Sequence, residues 1–402
     1  MSGDRDIFLA EAVEPPTKLG RYRNLSKLAG VMVSPIVLGA ASIGDKWHRI
    51  GLGAMDKESS FKLLDAYYGM GGNFIDTANG TRSGLHLSTR NDHLLQHGSS
   101  EEFLGEWMAT RGVRDQMVIA TKYSIDSQLG NKDIPPHAHI NFAGNNAKSL
   151  YISVRDSLKR LRTEYIDILF VHWWGYDTPI QEVMSHLHDL VAAKKVLYLG
   201  VSDTPAWVVS QANQWALDHG KTPFVVYQGA WNVMDRSFER EIIPMAREWG
   251  MALMPWEVLA AGRIRSDADE RRRKESGEGG RDVFFTGWER NEHEKQVCAA
   301  LEKVGKETGV NSVTAVAIAY LMQKTTYVFP IVGGRKIEHL KENIKALDIR
   351  LTPDQISYIE SVNSFEPGFP HSFIGNGLSE NLFMNATAKI DRVKPAEPIR
   401  VA

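Results

Sequence analysis

A single cysteine, Cys298, stands in 402 residues, so neither an internal disulfide nor a cysteine-rich metal cage can hold this chain together. Such usage fits a reducing compartment, and a cytoplasmic location is the expectation. Excess charge is missing too: 47 lysines and arginines face 49 aspartates and glutamates, a net charge of -2. Without a basic field to hold a phosphate backbone or an anionic bilayer, nucleic acid and membrane are poor partners and a small molecule is the better one. Long hydrophobic runs are also absent. The richest lies near Val313 to Met322, well short of the ~20 residues that span a bilayer. The first 20 residues mix Asp4, Arg5, Asp6, Glu11 and Glu14 with Pro15 and Pro16, and so lack the apolar core of a signal peptide.

What is present is an alternation. Short apolar or β-branched runs at Pro35 to Leu38, Asn73 to Asp76, Met117 to Lys122, Ile166 to His172, Tyr198 to Ser202, Phe224 to Gln228, Ala252 to Trp256 and Tyr327 to Val332 read as strands. Helix-period segments separate them, for example Ala147 to Leu161, where Leu150, Val154, Leu158 and Leu161 fall on one face. Thr204 followed by Pro205 reads as an N-cap with proline at the first helical position. Eight β-α units without a linker predict a single-domain α/β protein, a closed (β/α)8 TIM barrel. Residues 1–30 are expected to form an N-terminal arm. The barrel takes 31–350 with an irregular insertion at 80–98, and 351–402 form a tail packing near the barrel mouth. The charge-dense stretch from Asp267 to Arg281 reads as a solvated long loop.

In such a barrel the carboxyl ends of the strands carry the chemistry. Here they present Gly39, Asp76, Lys122, His172, Ser202 with Asp203, Gln228, Trp256 and then Gly333-Gly334-Arg335-Lys336. A lone acid, lysine or histidine at a strand end is usually a rim group; an acid, a cation and an imidazole at equivalent positions make a site. After the eighth strand, Gly333 and Gly334 let backbone approach a phosphate, and Arg335 and Lys336 precede a helix start. Two cations suit a ribose 2′-phosphate, favouring NADP over NAD. His137 with His139, and His186 with His188, are not completed by further ligands, so no metal is expected.

Gly71 to Ala78 (GGNFIDTA), Ile119 to Lys122 (IATK), Asp167 to His172 (DILFVH) and Leu199 to Ser202 (LGVS) resemble the aldo-keto reductase superfamily. Glu14 to Arg21, Ser42 to Trp47, Asp203 to Val209 and Pro330 to Lys336 resemble its fungal aryl-alcohol dehydrogenase and norsolorinic acid reductase group. The resemblance implies a barrel that binds NADPH and reduces a carbonyl by hydride transfer, using an Asp, Tyr, Lys and His tetrad. Asp76, Lys122 and His172 match three members. It further implies that Ser202, Asp203 and Gln228 hold the nicotinamide carboxamide, that Trp231 stacks on the ring, and that the loop from Glu257 to Arg265, with Glu257, Val258, Leu259, Ala260, Gly262 and Arg263, lies along the pyrophosphate. Gly333, Gly334, Arg335, Lys336, Glu342 and Asn343 match the adenosine-phosphate side. His172, Trp47 and Trp173, with Trp174, suggest an aromatic-lined substrate pocket.

The family tyrosine falls at Thr81. A threonine hydroxyl has no acidity near neutral pH, whereas a phenol starts near ~10 and can be tuned downward. The departure opens the irregular stretch Gly80 to Gly98, which carries His86, His93 and His97. That stretch is a rebuilt acid site, the mark of a silent cofactor binder, or translated intron or misjoined exon sequence. The abrupt loss and return of the pattern favours the last; if the segment is natural, His172 is the leading surviving acid. The expected function is NADPH-dependent reduction of an aromatic or polycyclic aldehyde or ketone in fungal secondary metabolism, with a catalytically impaired NADPH-binding sensor or partner subunit as the alternative.

Overall fold

A computed structural model of the protein describes residues 12–44, 55–80, 98–128, 131, 133–277, 288–375, 382–391, 393 and 395–400. Two short strands, β1 (Arg23–Ser26) and β2 (Ala29–Val33), pair antiparallel. Eight parallel strands follow: β3 (Val37–Gly39), β4 (Phe74–Asp76), β5 (Val118–Tyr123), β6 (Ile166–Val171), β7 (Val196–Ser202), β8 (Val226–Ala230), β9 (Ala252–Trp256) and β10 (Ile331–Val332). They lie in the order β10-β3-β4-β5-β6-β7-β8-β9. The ring closes just before β10, where Leu253 donates to the Tyr327 carbonyl at 2.9 Å and accepts from Phe329 at 2.8 Å. This is a (β/α)8 barrel, and its strands coincide with the eight predicted segments to within a few residues.

Side chains alternate across a strand, so every second residue enters the barrel. Phe74 on β4, Val118 and Ala120 on β5, Ile168 and Phe170 on β6, Val226 on β8 and Ala252 with Met254 on β9 form one buried apolar cluster. Leu25, Ala29 and Val33 of the β1–β2 hairpin join it, so the hairpin plugs the amino-terminal end of the barrel. A larger cluster lies between strands and helices. Gly200 on β7 shows how tight the interior is: a Cβ there would come within 2.4 Å of the Phe170 ring.

Caps set the helix starts. Asn146 accepts from Ser149 before the helix Ala147–Arg160, and Asn291 forms a capping box with Glu294 before Glu292–Thr308. Leu150, Val154 and Leu161 are buried as the period predicted. At the helix Ala206–Asp218 the cap is Pro205, not Thr204; the Thr204 hydroxyl donates instead to the Ser202 carbonyl at 2.7 Å.

The stretch read as a solvated loop is a helix, Asp267–Ser276. Ser266 accepts from the Asp269 amide, acids fill the first turn, Arg272 and Arg273 bond back to Asp269, and Gly277 ends the helix with φ 67°. The run has almost no apolar face, and capping with i,i+3 and i,i+4 pairs takes the place of one. Tertiary ion pairs fasten it. Buried Glu270 receives Arg265 at 3.1 Å and Arg290 at 2.5 Å.

The tail is tied near the strand ends. Asn363, beyond the helix Pro353–Val362, donates to the carbonyls of Val233 and Met234 at 2.8 and 2.9 Å, and Arg240 donates to that of Pro367 at 2.8 Å.

Candidate active site

The face that fills the barrel also builds its mouth. Asp76 continues the face of Phe74, Lys122 that of Val118 and Ala120, His172 that of Ile168 and Phe170, Ser202 that of Gly200, Gln228 that of Val226, and Trp256 that of Ala252 and Met254. Strand register brings them level: Gly39 pairs with Asp76, and Ser202 with Gln228. The polar layer therefore rests on the apolar one, with the Lys122 Nζ 5.7 Å above the Phe170 ring.

At the centre, Lys122 Nζ donates to both Asp76 carboxylate oxygens at 2.7 Å and to the Thr77 carbonyl at 2.9 Å. Gln228 Nε2 donates to Asp76 Oδ1 at 2.9 Å. Both charged groups are buried, and each satisfies the other. His172 lies beside them. Burial and the neighbouring Lys122 charge hold its pKa down to about 3, so the imidazole is neutral at physiological pH. Its Nδ1 is buried with no hydrogen-bond partner. A neutral ring donates a hydrogen bond but carries no imidazolium proton to give. Among the described residues lining the cavity there is no tyrosine.

Asp203 follows β7 with a left-handed φ of 44°. Its amide donates to the Gln228 carbonyl at 3.0 Å, and its Oδ1 accepts from the Trp256 indole N–H at 3.1 Å. The carboxyl opens onto the cavity, yet the protein around it pushes its pKa up to about 6. The Ser202 hydroxyl is buried beside this carboxyl and works against the rise in its pKa.

From this centre a cavity of about 630 Å³ runs outward. It passes Glu257, Val258, Leu259 and Gly262 on one side and Gly333 and Gly334 on the other, and reaches Arg335, Lys336, Glu342 and Asn343. The loop after β9 turns sharply, with left-handed φ at Glu257, Ala260 and Ala261. Gly333 and Gly334 need no left-handed φ, and a Cβ on either would meet nothing nearer than 3.5 Å. Open space, not backbone conformation, is what their missing side chains provide. The helix Ile337–Ile344 then starts at Lys336 with no side-chain cap on its first amides.

Several expected residues are elsewhere. The Trp231 ring is fully buried and stacked on Phe238 at 5.3 Å; the chain turns after β8 and carries it beneath the helix Phe238–Glu248. Trp256 is the aromatic residue in the cavity wall. Ala260 and Arg263 do not line it, because the 3-10 turn Ala260–Gly262 directs the Arg263 guanidinium to Glu294 at 2.8 Å. Trp173, adjacent to His172, points away from the barrel face and is part-exposed, and Trp174 is buried. Trp47, Thr81, His86, His93 and His97 lie outside the described residues. His139 is paired with Asp126 at 2.7 Å, and no group of three metal-ligating side chains occurs among the described residues.

Sequence reasoning missed Asp269 and Arg273, which line the cavity. Both belong to the unexpected helix. Its alternating charge was visible, but nothing in it showed that the helix folds back along the strand ends.

Comparison with known proteins agrees with this geometry. Residues 35–364 match the profile of the aldo/keto reductase family. The chain is 56% identical over 394 residues to an aryl-alcohol dehydrogenase [NADP(+)] of Phanerodontia chrysosporium, covering 97% of this chain and 98% of that protein. It is 50% identical over 376 residues to the aldo-keto reductase ausK of Emericella nidulans, covering 93% and 90%. It is 46% identical over 357 residues to norsolorinic acid reductase B of Dothistroma septosporum, covering 89% and 85%.

Proposed function

Because the chain belongs to the aldo/keto reductase family, we propose that its barrel mouth is an NADP(H) site at which an aromatic or polycyclic aldehyde or ketone is reduced to the alcohol, in secondary metabolism. The relatives' names support the substrate class. The observation that carries the reading is the buried Asp76–Lys122 pair with neutral His172 at the closed end of a long cleft whose far end carries Arg335 and Lys336.

The residues fit a dinucleotide. The His172 Nδ1 is buried without a partner, the side-chain-free wall at Gly333 and Gly334 leaves room, and Arg335 and Lys336 stand at the outer end. Ser202, Asp203, Gln228 and Trp256 would hold the ring end. Val258, Leu259, Gly262, Gly333 and Gly334 would hold the middle, and Arg335, Lys336, Glu342 and Asn343 the 2′-phosphate and adenine side. When bound, the reduced cofactor supplies a hydride. The chain's own residues manage the charge: His172, neutral, donates a hydrogen bond to the developing oxyanion. Lys122, whose partners are Asp76 and the Thr77 carbonyl, would act through its charge on a phenol placed beside it; without one, the alkoxide left by hydride transfer would take its proton from solvent.

A second reading rests on Thr81. With no phenol at that position and His172 neutral, the protein binds NADPH but turns over slowly. Fluorescence titration with NADPH tests binding, and NADPH oxidation with an aryl aldehyde tests turnover. Binding without oxidation selects the second reading, and no binding overturns both. We read residues 80–98 as translated intron or misjoined exon sequence; a mature transcript encoding Asn79 to Glu102 unchanged overturns that.

A further inference from the structure

Charge is uneven at the ring end of the cleft. Asp76 and Lys122 cancel at 2.7 Å, and His172 is held neutral. Tyr227, beneath Asp203, has its phenol pushed up by burial and stays neutral, and Ser202, Gln228 and Trp256 carry no charge. Asp203 adds one further carboxylate, held in place by its own backbone bond to Gln228 and by the Trp256 indole N–H.

We propose that Asp203 sets the redox preference of the site, its carboxylate binding the positively charged oxidised nicotinamide more tightly than the neutral reduced ring. The proposal rests on the reading that the redox-active end of NADP(H) lies at this mouth. An opposite charge a few ångströms away in a partly wet cleft supports a preference of about tenfold. The Lys122 ammonium acts against it, but Asp76 already neutralises that charge at shorter range. Because the carboxyl's pKa is pushed up to about 6, the preference is present above that pH and fades below it.

The test measures Kd for NADP+ by calorimetry and for NADPH by fluorescence, on the full chain, and takes their ratio. The 2′-phosphate titrates in both cofactors and cancels. Between pH 8 and pH 5 the wild-type ratio Kd(NADP+)/Kd(NADPH) is expected to rise about fivefold, because bound NADP+ itself lowers the carboxyl's pKa. Asp203→Asn should have the high ratio at both pH values, and Asp203→Glu should keep the low ratio at pH 8. A wild-type ratio independent of pH, or an Asn variant that weakens both cofactors equally, overturns the proposal and leaves Asp203 a positioning residue. If wild type binds neither cofactor, the NADP(H) reading itself fails. The pH series needs no variant, so misfolding of Asp203→Asn leaves the question decidable.

Discussion

At the scale of single residues, the account turns on one buried ion pair. Removing one partner strands the other charge, so Lys122→Met is expected to lower unfolding free energy by about 3–5 kcal/mol. Turnover should fall about 100-fold or more. The double variant Asp76→Asn with Lys122→Met separates the two effects: urea unfolding should return toward wild type while turnover stays lost. His172 makes a pH prediction. Its native pKa of about 3 lies below the ordinary histidine value of 6.5, so the unfolded chain takes up a proton that the native protein refuses. Stability is then lost progressively as pH falls from 6.5 toward 3. A His172→Gln variant should flatten that limb of an unfolding series, and an unchanged slope would show that the ring is protonated in place.

At the scale of elements, the same helix that was hardest to foresee makes the sharpest prediction. Glu270 is buried between Arg265 and Arg290 and holds the helix Asp267–Ser276, which brings Asp269 and Arg273 into the cleft wall. Glu270→Ala should destabilise the protein by about 3–5 kcal/mol and weaken NADPH binding, with kcat at saturating NADPH little changed; denaturant unfolding and a cofactor titration read both. Strands were legible because parallel barrel strands are apolar on both faces and end in a polar residue: Ile168, Phe170, His172 is such a series. The residues that strand periodicity places, Asp76, Lys122, His172, Ser202 and Gln228, all reach the mouth. Those beyond a turn did not follow the pattern. Trp231 and Trp256 look alike in sequence, but only Trp256 is in phase with the inward face of its strand. The β1–β2 hairpin escaped notice because Arg23–Ser26 has no two-residue alternation, and its role as a plug depends on contacts distant in sequence.

At the scale of the whole molecule, one barrel organises the described residues. Its interior is filled to the point that Gly200→Ala, which drives a methyl into the Phe170 ring, is expected to cost about 1–3 kcal/mol by thermal or urea unfolding. The near-zero net charge hides a sorted distribution. Asp76, Lys122 and Asp203 lie at the inner end of the cleft, and Arg335 and Lys336 with Glu342 at the outer end, an arrangement that suits the proposed dinucleotide. What the chain lacks relative to its family resemblance is a phenol at position 81, where Thr81 stands.

The most direct test therefore compares wild type with Thr81→Tyr, measuring NADPH affinity and NADPH oxidation with an aryl aldehyde on the same preparations. The account predicts NADPH binding of similar strength in both proteins and NADPH oxidation that the phenol raises about 100-fold. Absence of NADPH binding in both, or turnover in wild type that the tyrosine leaves unchanged, would contradict it.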